Sequence, residues 1–169
     1  MRLAVLLLST FPLAAQQPTP GIGQGWLGEF NHAASQILAL AEATPEAKYS
    51  WRPAPGVRST SEVFMHIVET NFWLLGQAGA PQPLPMPAPK EGAEKGVTKK
   101  EDVIMWLKAS FDAVRKSYVA ADRQKKVKFF GKETPAENVF LRLLVHSHEH
   151  MGQSIAYARM NGVKPPWSQ

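Results

Sequence analysis

The sequence predicts an all-α protein: a four-helix bundle with a long proline-rich crossover between the second and third helices. Apolar residues recur with helical spacing in four segments, and a link of 19 residues, from Gly79 to Val97, separates the middle two. Apart from a short stretch near residues 127–130, no segment has a convincing strand pattern. The four helices are expected to span roughly residues 23–43, 59–79, 98–121 and 135–161.

The ends of these helices are marked by capping signals. The first helix stops before Pro45, and the last is ended by Gly162 and the Pro165–Pro166 pair. Each of the other three begins with a hydroxyl residue followed three positions later by glutamate, the reciprocal capping arrangement: Ser59 with Glu62, Thr98 with Glu101, and Thr134 with Glu137. Pro135 is expected at the first helical position of the last helix, where its missing N–H costs nothing.

The link between helices two and three favours an extended polyproline conformation. Prolines alternate with other residues at positions 81, 83, 85, 87 and 89. At roughly 3 Å per residue the link can travel the length of a 20-residue helix, about 30 Å, so helices two and three could run parallel. Alternatively the link is a domain boundary, but neither half has enough apolar helix to bury a core. We therefore expect a single domain over residues 16–169.

The first 15 residues are typical of a secretory signal peptide. A single positive charge at Arg2 precedes an apolar run from Leu3 to about Ala15, too short for a comfortable membrane span of roughly 20 residues. No later segment is long and apolar enough to be a span. The mature chain is thus expected to be exported, to the periplasm or the extracellular space, after cleavage near Ala15.

The amino-acid composition excludes several classes of function. The absence of cysteine excludes disulfides, thiolate catalysis and cysteine-ligated zinc. The net charge of +5 is a modest excess, so no nucleic-acid partner is expected. A homodimer is left open, because Trp26, Trp106 and Phe111 fit either the core or a dimer surface, and the core is the simpler placement.

Histidines dominate the last helix. His146, His148 and His150 alternate along the sequence, but each residue of a helix turns by about 100°. His146 and His150 therefore share a stripe, whereas His148 points to the opposite side. We expect His148, and likewise His32, to face solvent. The stripe consists of Val139, Leu143, His146, His150, Gln153 and Tyr157.

Two imidazoles one turn apart suit chelation of a divalent ion, although a pair of hydrogen-bonded core histidines would give the same pattern. A third histidine favours the metal. His66 lies in SEVFMHIVETNFW, a nearly all-apolar helix whose flanking residues indicate burial. The zincin motif is absent, since Glu149 precedes the second histidine instead of following the first.

These motifs resemble the DinB-like family of four-helix metal-dependent proteins. The resemblance lies in WRPAPGVRS (51–59), SxxEVxxHI (59–67), LxxHxxxHxGQ (143–153) and YxRxNGVKPP (157–166). It implies a bundle with a long crossover between helices two and three, and His66, His146 and His150 as the three metal ligands. Met151 departs from the pattern, in which many members carry arginine. Some members of the family are thiol-dependent transferases or isomerases, and others have no known activity.

The leading hypothesis is an exported metal-dependent enzyme, of hydrolase or transferase type, that acts on a small molecule. The three imidazoles would hold Zn²⁺, Ni²⁺ or Fe²⁺ and leave a coordination position open. Glu69 and Glu62 are the nearest acid or base candidates, but Glu62 has a capping role and Glu69 could simply face water. The alternatives are a non-catalytic module that binds a metal or ligand, and a structural bundle without an ion.

Overall fold

Four long helices form most of the structure, a computed structural model that describes residues 21–80 and 92–168. Their bounds are α1 Gly25–Ala43, α2 Thr60–Gln77, α4 Lys100–Ala120 and α5 Ala136–Met160. Shorter elements are a 3₁₀ turn at Glu46–Lys48, the one-turn helix α3 Ala93–Gly96, and strands β1 Lys126–Phe129 and β2 Lys132–Pro135. The predicted all-α class is confirmed. The predicted signal peptide and the proline run at 81–89 lie outside the described residues.

The helix directions follow from contacts near the helix ends. Trp26 at the start of α1 stacks on Tyr118 at the end of α4, with ring centroids 4.0 Å apart. Lys100 at the start of α4 donates a hydrogen bond to the carbonyl of Thr44, just past α1. These two helices are therefore antiparallel.

Helices α2 and α4 share one direction. The Tyr157 hydroxyl near the end of α5 donates to the carbonyl of Arg58, just before α2, so α2 and α5 are antiparallel. Trp26 Nε1 donates to the carbonyl of Phe140, which places the starts of α1 and α5 side by side. Because α1 opposes α4 and α5 opposes α2, the link between α2 and α4 joins parallel helices, as the length of the proline-rich segment allows.

The core lies between all four long helices. Phe30, Phe64, Phe111 and Phe140, one from each, are at most 2% exposed. Trp26 and Trp106 are half-buried and pack against this core, so the simpler of the two placements considered for these tryptophans and Phe111 agrees with the structure. Within the two described ranges, no helix has the length and apolar character needed to cross a bilayer.

Of the three predicted capping arrangements, one forms. The Ser59 hydroxyl accepts from the Glu62 amide, and the Glu62 carboxylate accepts from the Ser59 amide. The prediction for Thr98 is wrong: α4 starts at Lys100, and Lys99 caps it without a side-chain hydrogen bond. The prediction for Thr134 is also wrong, as the next paragraph explains.

The hairpin before α5 displaces the third predicted cap. Thr134 pairs with Val127 across the two strands, so its backbone is extended. Pro135 ends β2 and occupies the N-cap of α5 without a side-chain cap bond, instead of the first helical position. Thr134 and Pro135, which the sequence pattern placed at the helix start, belong instead to strand β2. At the turn, Phe130 and Gly131 both have positive φ, 46° and 77°, as a two-residue hairpin turn of type I′ requires.

Candidate metal centre

Three histidine side chains meet between α2 and α5. His66 projects from the middle of α2, and His146 and His150 project from α5 one turn apart. One ligand nitrogen from each residue lies within 4.8 Å of the other two. The Nε2 atoms of His66 and His146 are 3.2 Å apart. The structure thus brings together all three histidines predicted from the sequence, and their role as metal ligands stays a prediction.

The spacing of the nitrogens fits a single ion. Two nitrogens bound tetrahedrally to zinc at about 2.0–2.1 Å are about 3.3 Å apart. The His66–His146 separation of 3.2 Å already matches this value. The nitrogens of all three pairs lie within 4.8 Å, so an ion bound by all three would draw the more distant ones closer. The three imidazoles could therefore hold one metal ion.

Hydrogen bonds orient two of the rings. His66 Nδ1 lies 3.2 Å from Glu94 Oε2, and His150 Nδ1 lies 2.7 Å from Gln153 Oε1. With both Nδ1–H groups donating to these oxygens, the Nε2 lone pairs of His66 and His150 are left for a ligand. Metal-binding histidines in proteins usually donate their second ring nitrogen in this way.

His146 is the most deeply buried of the three, at 6% exposure. Its Nδ1 has no hydrogen-bond partner among the described residues, while its Nε2 faces His66. An imidazole with an unpartnered buried nitrogen costs free energy. Nε2, which faces His66, is the nitrogen that a metal would use, and Nδ1 lacks, within the described part of the chain, the orienting hydrogen bond that the other two rings have.

All three histidines are held neutral. Burial lowers the pKa of His146 to about 3, and the neighbouring His150 and His66 add to the effect. Burial is also the main cause of the lowered pKa of His66 and of His150, and the Arg58 guanidinium pushes both in the same direction. Because a metal binds the unprotonated imidazole, this environment favours metal binding at neutral pH.

No pattern in the sequence indicated Glu94, the acidic partner of His66. Glu94 belongs to α3, a single helical turn in the link between α2 and α4, where no apolar periodicity marks its position. Its second oxygen pairs with Arg58 Nε at 2.8 Å. Its amide donates to Glu69 Oε1 at 2.6 Å. Glu69, the weak catalytic candidate, therefore holds the start of α3 and is half-buried, not directed at water.

The remaining polar candidates lie elsewhere. Glu62 caps α2 and forms a two-pronged ion pair with Arg52, with distances of 3.0 and 3.1 Å. His148 and His32 are half-buried between α1 and α5, with ring centroids 6.5 Å apart. The expectation that they face solvent is thus wrong in part: they do lie off the stripe, but the opposite side of α5 near His148 is covered by α1.

A cleft of about 560 Å³ borders the side chains that contact His66 and His150. Gln153 and Glu94, which bond His150 and His66, form part of its wall. The wall is completed by Arg52, Gly56, Val57, Arg58, Glu62 and Lys95. A small molecule in this cleft would reach the side chains that orient the metal ligands.

The fold and the site together define a helical bundle with a histidine centre that could hold a metal ion. A model of the DinB superfamily matches residues 29–154, a range that includes all three histidines. The chain belongs to the DinB superfamily, which confirms the resemblance seen in the motifs. No curated protein matches the chain.

Two solved structures show the same fold. A DinB-like protein from Bacillus cereus ATCC 10987 superposes with a TM-score of 0.66 at 20% identity, covering 85% of this chain and 95% of that one. A DinB-like protein from Bacillus subtilis, YjoA, superposes with a TM-score of 0.62 at 17% identity, covering 85% and 96%. At these identities the similarity concerns the fold.

Proposed function

We propose that the protein is an exported metal-dependent enzyme, of hydrolase or transferase type, that holds a divalent transition metal on His66, His146 and His150. The observation that carries the proposal is the convergence of three neutral imidazoles, one ligand nitrogen of each lying within 4.8 Å of the other two. Zn²⁺, Ni²⁺ and Fe²⁺ all suit imidazole ligands, and a three-histidine set leaves a position for substrate.

Glu94, Gln153 and Tyr157 support the site through hydrogen bonds. Glu94 and Gln153 hold the rings of His66 and His150 so that their Nε2 atoms face one point. The Tyr157 hydroxyl accepts from Gln153 and donates to the Arg58 carbonyl, which links α5 to the loop before α2. A bound divalent ion supplies Lewis-acid chemistry. The cleft beside it supplies room for a small-molecule substrate.

Metal analysis of the purified mature protein tests the ligand set. We expect one divalent ion per chain in the wild type and a loss of at least about 10-fold in metal affinity in His150→Ala, because two imidazoles hold an ion much less tightly than three. His148→Ala is the matched control, since His148 lies on the same helix but faces α1. Stoichiometric, equally tight metal in His150→Ala would reject the site.

A non-catalytic module that binds a metal or ligand is the second candidate. It is favoured by the carboxylates near the site, because Glu69, Glu62 and Glu94 all accept hydrogen bonds already and none is an uncommitted general base. Hydrolysis and thiol addition should be screened with the metal-loaded and the chelated protein. Metal-dependent turnover that disappears in His66→Ala would exclude the binding-only role, and absence of any turnover would favour it.

Export is proposed on the N-terminal sequence alone. The charged residue Arg2 and the apolar run that follows it are typical of a cleaved signal. Expression of the full chain in bacteria should give a protein outside the cytoplasm whose N-terminus, by sequencing, begins near residue 16. Recovery of the uncleaved chain in the cytoplasm would contradict export and leave the metal centre unaffected.

A further inference from the structure

We propose that Arg58 forms an anion-binding subsite beside the three histidines, so that the substrate carries a carboxylate or phosphate group held between the metal and the Arg58 guanidinium. The inference rests on the proposed metal centre and adds the chemical class of the ligand. It comes from the hydrogen-bonding capacity of the cleft wall and from the position of Arg58 in that wall.

The cleft and the metal centre share a wall. Arg58 lines the cleft and contacts Glu94 through Nε, and the other oxygen of Glu94 contacts His66. Gln153, on the other side of the centre, lines the cleft and contacts His150. One side chain on each side, Glu94 and Gln153, therefore separates the cleft from His66 and His150.

The acceptors of the cleft wall are already in use. Both oxygens of Glu62 accept from Arg52, and one of them also accepts from the Ser59 amide. One oxygen of Glu94 accepts from Arg58 and the other faces His66. Although burial alone would raise the pKa of Glu62, its hydrogen bonds to Arg52 and Ser59 hold that pKa below the ordinary value, so the carboxylate stays charged and paired.

The donors of the wall are in excess. Arg58 uses Nε for Glu94, and neither of its terminal nitrogens has a partner among the described residues. Lys95 likewise forms no ion pair within the described part of the chain. The wall carries three cations and two carboxylates, Arg52, Arg58 and Lys95 against Glu62 and Glu94, a net charge of +1. Cationic donors without a partner suit a ligand group that has several acceptor oxygens, such as a carboxylate or a phosphate.

Arg58 is also held in place before a ligand arrives. Its carbonyl accepts from the Tyr157 hydroxyl on α5 at 3.1 Å. The next residue, Ser59, is fixed by the capping box of α2. Its Nε is tied to Glu94 at 2.8 Å. A guanidinium fixed at both its backbone and its Nε loses less conformational entropy when its terminal nitrogens bind an anion.

Cobalt(II) loaded into the three-histidine site gives a visible spectrum that reports on ligands without any need for turnover. We expect inorganic phosphate and acetate, titrated separately, to change this spectrum in the wild type at saturable concentrations. In Arg58→Gln the dissociation constant for the anion should rise by about 10-fold or more, and in Arg58→Lys by less, because the charge is kept and the planar fork is lost. Comparison of the two anions distinguishes carboxylate from phosphate.

Two controls separate the charge effect from a damaged site. Imidazole is a neutral ligand, and its affinity for the cobalt protein should be nearly the same in wild type and Arg58→Gln. Arg115→Gln makes the same charge change on α4, where Arg115 pairs with Asp112 away from the cleft, and should leave anion affinity unchanged. Every sample should first be shown to hold one cobalt per chain.

The outcomes are distinct. A protein that binds no cobalt on the three histidines overturns the proposed metal centre and this inference with it. A protein that binds cobalt but gives equal anion affinity in wild type and Arg58→Gln overturns the inference and leaves the metal centre standing. Equal losses for imidazole and for the anions would also overturn it, because Arg58 would then act on the whole site and not on negative charge.

Discussion

His146 shows how much of the site is decided at the scale of single residues. Helical periodicity alone places it on one stripe with His150 and separates it from His148. Its 6% exposure and its unpartnered Nδ1 depend on packing against other helices, and its lowered pKa comes mainly from that burial. The periodicity could therefore predict which residue faces inward, but not what the side chain meets there. The same holds for Glu94, whose role depends on a contact with a residue 28 positions away.

The lowered histidine pKa values predict a pH-dependent stability of the metal-free protein. The unfolded chain takes up protons on these imidazoles below about pH 6.5, whereas the folded chain does not until the pH approaches the lowered values, about 3 for His146. Their contribution is fully present above pH 6.5 and is lost as the pH falls. We expect the unfolding free energy, measured by urea denaturation with chelator, to fall by up to about 1.4 kcal/mol per pH unit for each such histidine.

The contribution of one histidine can be isolated by substitution. In His146→Gln the loss of stability between pH 7 and pH 5 should be smaller than in the wild type, because one titrating group has been removed. Carboxylates that titrate in the same range are common to both proteins and cancel in the difference. An unchanged pH dependence in His146→Gln would contradict the assignment of His146 as a buried, neutral group.

At the scale of elements, the same sequence signal had different outcomes at three helix starts. A hydroxyl residue followed by glutamate forms a full capping box at Ser59, where no strand pairing among the described residues involves residues 59–62. At Thr134 the pairing with Val127 holds the residue in strand β2, and no cap forms. At Thr98 the helix starts two residues later, at Lys100, whose side chain reaches the carbonyls of Glu42 and Thr44.

Removal of the Ser59 hydroxyl and removal of the Thr98 hydroxyl should therefore have unequal effects on Tm. Ser59→Ala removes the acceptor of the Glu62 amide, and a lost cap costs about 1 kcal/mol, which corresponds to roughly 2–4 °C in Tm for a chain of this size. Thr98→Ala removes no cap from the exposed Thr98 and should change Tm by about 1 °C or less. Thermal melts followed by circular dichroism measure both, and equal shifts would contradict the observed cap assignment.

At the scale of the whole molecule, the histidine centre joins the two halves of the chain. His66 comes from α2, before the long link, and His146 and His150 come from α5, after it. An ion held by all three would tie these antiparallel helices together in the folded state, and the unfolded chain would not offer the same triangle of nitrogens. Metal binding should therefore add to the stability of the entire bundle.

Chelation provides the corresponding test. With free metal at about 100 times its Kd, binding adds about 2.7 kcal/mol, so removal of the metal should lower Tm by roughly 5–10 °C. The chelator should have little effect on His150→Ala, whose site is incomplete, and its full effect on His148→Ala. If chelation left the Tm of the metal-loaded wild type unchanged, the histidines would be structural residues and not ligands.

The sequence by itself determined the four helices, their approximate ends and the faces they bury, because helical periodicity and stop signals act over a few neighbouring residues. It also predicted that His66, His146 and His150 are the metal ligands. The tertiary structure decided which capping patterns form, that α1 covers the side of α5 near His148, and that Glu94 and Arg58 stand beside the histidines. These features depend on contacts between residues far apart in the chain, whose energies no local pattern contains.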